Sequence, residues 1–115
     1  MGRLTTHVLD TANGVPAAGI SVRAYRVGND RQLVANTVTN ADGRTDEALL
    51  AGDAFTDGEY ELEFDVGAYF DARGAAPDTT PFLQTVVIRV CVDANQHYHV
   101  PLLTSPWSYS TYRGS

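Results

Sequence analysis

Apolar and polar residues alternate with period two along most of the chain, the pattern of strands that turn one face to a core and the other to water. The clearest case is Tyr60 to Val66, where Tyr60, Leu62, Phe64 and Val66 fall on one face and Glu61, Glu63 and Asp65 on the other. It predicts a half-buried antiparallel strand. Ile20, Val22 and Ala24 interleave with Ser21, Arg23 and Tyr25 in a second strand, and Leu33 to Thr39, rich in β-branched residues, predicts a third. Asn13-Gly14, Gly28-Asn29-Asp30 and Asp42-Gly43 supply the turns between them. Phe82 to Val92 is long, continuous and β-branched, which predicts a strand running through a sheet interior. Tyr98 to Leu103 is interrupted by Pro101, and a residue without an N–H pushes its strand towards an edge or a bulge.

Only Gly67 to Gly74 reads as helical, ending on Arg73 and a glycine stop, and Ala75 to Pro81 reads as a loop. Seven or so strands in about a hundred residues favour an all-β fold, a two-sheet antiparallel β-sandwich with one short helix. The 115 residues suit a single domain, residues 1–115, with one core that hides about two thirds of the unfolded surface. Eight basic against 14 acidic residues give a net charge of -6, which argues against nucleic acid, since a phosphate backbone demands clustered positive charge. No run of about 18 apolar residues offers a membrane span. Residues 1–6 lack the apolar core of a secretory signal, so a cytoplasmic location is expected. Cys91 stands alone between Val90 and Val92, without a disulfide partner, and is expected to be a buried small residue.

Few residues offer chemistry. His7 is predicted at mid-strand on a face shared with Thr5 and Leu9. Taken alone it is as readily a half-buried, hydrogen-bonded side chain as a general base. His97 and His99, two apart, share a face and could grip a metal ion. A zinc site needs three or four ligands, however, and only His7 and Cys91 remain to complete one, so no metal is expected. Arg44 follows the Asp42-Gly43 turn, where an arginine is normally solvated, although its rigid fork could hold a planar, carbonyl-rich ligand by two parallel hydrogen bonds. Ser115 sits in no nucleophile elbow, so direct attack by water is the better hydrolytic reading. No glycine-rich phosphate loop appears, and no cofactor is expected.

Three separated motifs then point one way: Leu4-Thr5-Thr6-His7-Val8-Leu9-Asp10, Thr39-Asn40-Ala41-Asp42-Gly43-Arg44-Thr45, and the run from His97 that closes on Tyr112-Arg113-Gly114-Ser115. Together they resemble the transthyretin-like 5-hydroxyisourate hydrolase family over essentially the whole chain, with Ser108 where that family usually has glycine. The resemblance implies a transthyretin-like sandwich assembled as a homotetramer, with active sites at a subunit interface and a small-molecule substrate, 5-hydroxyisourate, opened by His-assisted attack of water. It implies His7, Arg44, His99 and Ser115 as catalytic residues, and His7, Arg44, Tyr112 and Arg113 as substrate-binding ones. One histidine would act as base and the other as acid, while Tyr109 and Trp107 would fill an interface. The alternative is a carrier of the same fold, a hormone-binding protein without catalysis, which the full terminal motif and the histidines disfavour.

Overall fold

The computed structural model describes residues 2–74 and 80–114, and places nine strands and a short helix among them. In chain order these are β1 (Arg3–Asp10), β2 (Val15–Pro16), β3 (Ser21–Val27), β4 (Arg31–Val38), β5 (Leu50–Ala51), β6 (Gly58–Phe64), α1 (Val66–Ala72), β7 (Val86–Val92), β8 (His97–Thr104) and β9 (Tyr109–Thr111). One sheet runs β2-β1-β8-β9 with β5 also on β1, and the other runs β4-β3-β6-β7. The loop expected at Ala75 to Pro81 falls largely outside the described residues. No described helix is long and apolar enough to cross a membrane.

The predicted alternation builds the core. Leu4 and Val8 of β1 and Val100 and Leu102 of β8 face Val22, Ala24, Tyr60, Leu62, Phe64 and Val86 from the other sheet, and all are buried. Each large apolar side chain so enclosed contributes about 1.5–3 kcal/mol. Among these residues, Thr6 is buried because its hydroxyl donates to the Val100 carbonyl at 2.7 Å, which satisfies it inside the core. Val66 leaves the strand pattern at Asp65, whose carboxylate receives two 2.8 Å hydrogen bonds from Arg23. The chain turns there into α1, and Val66, Tyr69 and Phe70 bury the helix against the sandwich. The helix closes as expected, on Arg73 and a left-handed Gly74.

Four expectations are corrected. The strand expected from Phe82 begins at Val86 and forms the rim of its sheet rather than the interior. Cys91 is exposed, because alternate residues of β7 turn away from the core and Cys91 shares that outward face with Val87 and Arg89. The strand holding Pro101 is not an edge but lies between β1 and β9. Its proline acts on the ladder instead: Leu102 pairs with Thr111 and His99 with Gly114 in one register, which sets Pro101 opposite Tyr112, where it has no N–H to give. The β9 ladder therefore stops at Thr111 and resumes only as the Gly114 bridge. Finally, β1 and β8 pair in parallel, an exception in an otherwise antiparallel sandwich, made possible because nearly the whole chain separates them.

Candidate active site

Pairing register decides which side chains meet, because laterally paired residues project from the same face of a sheet. Core residues take the even positions of β1, so Thr5, His7 and Leu9 point outward. On β8 the outward positions are His97, His99, Pro101 and Leu103. Thr5 pairs with His99 and His7 with Pro101, which brings the His7 and His99 ring centres to 6.4 Å.

Arg44 arrives from the free side of β1. Three short pieces cover that side: β5 at Arg3 and Leu4, β2 at Leu9 and Asp10, and between them a single bridge from Arg44 to His7. The turn before Arg44 is closed by Asn40, whose side-chain oxygen accepts from the Asp42 and Arg44 N–H groups. Its Gly43 carbonyl accepts from Val8 N–H at 2.8 Å. Only glycine fits there, since φ is +75° and a Cβ would lie 2.4 Å from the Val8 carbonyl oxygen. The approach delivers a guanidinium that has no ion pair among the described residues.

Beside these groups lies an open hollow of about 470 Å³ lined by Thr5, Arg44, Thr45, His97, Tyr98 and His99 among others. Burial first, and the Arg44 charge second, hold the His7 imidazole below its ordinary 6.5, against an opposing pull from the Asp42 main chain. The same two causes lower His99, with His7 adding a smaller push. Both rings are therefore neutral near pH 7 and present a lone pair, which is the form a base requires. A second groove, of about 390 Å³ beside α1, is lined by Phe82, Trp107 and one titratable residue, Asp71. It has no comparable chemistry.

The terminal motif divides. Gly114 N–H donates to the His99 carbonyl at 2.7 Å, and a Cβ on Gly114 would stand 2.9 Å from His99 Cδ2, so the glycine packs directly on the ring. Arg113 goes elsewhere: its Nη2 donates to Gln96 Oε1 at 2.8 Å and to the His97 carbonyl, and its guanidinium lies 4.2 Å from the centre of the Tyr98 ring. Within one chain it does not join His7, His99 and Arg44. Tyr112 is exposed, as are Trp107 and Tyr109, while Ser115 lies outside the described residues. The Ser108 turn is closed by hydrogen bonds from Ser108 N–H to the Ser105 hydroxyl and from Ser105 N–H to the Ser108 carbonyl. A residue the sequence reading passed over is Thr5, whose hydroxyl lies 2.8 Å from His99 Nδ1. Its place on the His7 face was the available signal.

Known proteins share this arrangement of strands. A family profile described as the HIUase/Transthyretin family matches residues 4–114. The 5-hydroxyisourate hydrolase of Pseudomonas aeruginosa is 54% identical over an alignment covering 100% of this chain and 93% of its own. The structure of Klebsiella pneumoniae 5-hydroxyisourate hydrolase superposes with a TM-score of 0.84 at 36% identity, covering all of both chains. Sea bream transthyretin, solved in complex with thyroxine, superposes with a TM-score of 0.86 at 28% identity over 97% of this chain and 94% of its own. Profile, full-length identity and superposition agree, and the chain belongs to the HIUase/Transthyretin family.

Proposed function

We propose that this chain hydrolyses 5-hydroxyisourate in urate degradation, opening the six-membered ring to 2-oxo-4-hydroxy-4-carboxy-5-ureidoimidazoline. The observation that carries the reading is a pair of imidazoles 6.4 Å apart beside a guanidinium that is unpaired among the described residues, on one open face of a chain that aligns from end to end with a hydrolase of this compound. One imidazole takes a proton from water as the oxygen bonds to the ring carbonyl carbon. The carbon–nitrogen bond then breaks, and the imidazolium just formed returns its proton to the departing nitrogen. The second imidazole and Arg44 stabilise negative charge developing on the carbonyl oxygen. This sequence revises a simple split into one acid and one base, because a ring held neutral near pH 7 has no spare proton to give until it has first taken one. A carrier of the same fold has no need of such uncompensated ionisable groups.

The working form in this reading is a homotetramer, in which a neighbouring subunit closes the open hollow and the exposed Trp107, Tyr109 and Tyr112 fill the contact. Arg113, Tyr112 and Ser115 contribute to binding or to placing water at that junction. Light scattering that returned the mass of one chain would remove this part of the proposal. For the activity itself, urate is oxidised in situ and the ultraviolet band of the unstable product is followed. Addition of the protein accelerates its decay; an unchanged decay rejects the enzymatic reading.

A further inference from the structure

The Thr5 hydroxyl sits 2.8 Å from His99 Nδ1, on the strand neighbour that the parallel register sets directly beside His99. Among the described residues it makes no other hydrogen bond. A hydroxyl carries one proton, and its best use inside a half-covered face is to donate it to the one acceptor within reach. The acceptor here is the Nδ1 lone pair. An imidazole that accepts at Nδ1 while neutral carries its own hydrogen at Nε2, so the identity of the tautomer follows from the hydroxyl's orientation.

We propose that Thr5 is a positioning residue for this reaction: its hydroxyl donates to His99 Nδ1, fixes the Nε2–H tautomer, and thereby makes His99 the hydrogen-bond donor to the carbonyl oxygen and His7 the base. The inference rests on the hydrolytic reading above and divides its two imidazole roles. Gly114 reinforces the placement, because its bare Cα lets the terminal segment press on the His99 ring without displacing it. On the other side of the pair, His7 stands 6.4 Å from His99, ring centre to ring centre, and with Nε2 of His99 committed as a donor the lone pair of His7 is left to act as the base.

Thr5→Val keeps the shape and deletes the hydroxyl; Thr5→Ser keeps the hydroxyl. A misplaced catalytic group costs up to about 10²-fold, so Thr5→Val is expected to lose about 10–100-fold in kcat with KM within about twofold, while Thr5→Ser returns to within about threefold of the parent. Nitrogen-15 NMR of the imidazoles above pH 7 is expected to show His99 protonated at Nε2 in the parent and as a tautomer mixture in Thr5→Val, with unchanged melting. A parent His99 protonated at Nδ1, a Thr5→Val enzyme with kcat within twofold of the parent, or a Thr5→Ser enzyme as slow as Thr5→Val overturns the proposal. The tautomer is read without substrate, so a protein inactive on 5-hydroxyisourate would refute the functional reading and leave the Thr5 geometry separately measured.

Discussion

The two sheets turn similar alternating faces to the outside and use them in opposite ways. On the β3-β6-β7 face every arginine meets carboxylates: Arg23 binds Glu63 and Asp65, Arg31 binds Glu61 and Glu63, and Arg89 binds Glu61 and approaches Glu59. Charge is cancelled locally, and Glu61 sits nearly covered between two guanidiniums, its carboxyl held below the usual range chiefly by Arg89 and then by Arg31. On the β1-β8 face, Arg44 pairs with no carboxylate among the described residues and lowers two imidazoles instead. Identical pleating therefore yields either a neutralised, solvated surface or a reactive one, and the difference lies in whether an arginine is given an acidic neighbour across the ladder. This is also why Arg44 stands apart from the other arginines, most of which are occupied by carboxylates, by Thr56 and Tyr60, or by the rings of Tyr69 and Tyr98.

The largest break in this contrast comes from the imidazoles. His7→Asn and His99→Asn are each expected to lower kcat by about 10²–10⁴, or about 3–5 kcal/mol of barrier, with melting near the parental value; turnover within threefold of the parent in either variant would strip that ring of its role. Gly114→Ala follows, because the added methyl must push either the His99 ring or the terminal segment. A misplacement on the scale of an ångström costs up to about 10²-fold, and steady-state kinetics on a variant with parental circular dichroism measures it. Arg44→Gln sharpens the comparison through pH. Rate requires neutral rings whose pKa lies below 6.5, so the acid limb of the parental rate has its midpoint below 6.5. Removing the Arg44 charge moves that midpoint upward, with burial left as the main depressing cause. An unmoved acid limb would show that the guanidinium does not act on the imidazoles.

The same rings link to stability. Unfolded, they bind protons near 6.5; folded, they bind them only at lower pH, so between the two the unfolded chain holds more protons and stability drops as pH falls below 6.5. Glu61 contributes in the same direction at lower pH, because its depressed carboxyl stabilises the fold above the ordinary carboxylate range and loses that contribution on protonation. The smallest effect is expected at this residue. Glu61→Gln lowers the melting temperature slightly at low salt and less at high salt, since both partner arginines are about half exposed and screened, and leaves kcat unchanged. A large loss of activity in Glu61→Gln would end the division between a structural face and a reactive one.

Several features were readable in order along the chain. Alternation at Tyr60 to Phe64 fixed both the core side and the acidic side of β6, the Arg73-Gly74 stop closed α1, and the separated motifs pointed to the family. Pattern alone misjudged β7 and Pro101, because whether a strand is interior or at a rim depends on which other strands lie beside it. Exposure of Cys91 follows from the outward face it takes on β7. Residue types alone offered His7, Arg44 and His99 only as separate candidates, and it was the motifs shared with the family that grouped them; those motifs could not tell Arg113 from Arg44. Local sequence determined the periodicity, the turns and the inventory of ionisable groups, since these depend on bonded neighbours and on hydrophobic spacing. Tertiary structure alone decided which groups share a face, that Arg44 reaches the imidazoles without a carboxylate partner among the described residues, and which hydroxyl touches His99, because register sets those distances between residues as many as 94 positions apart, and no local pattern encodes it.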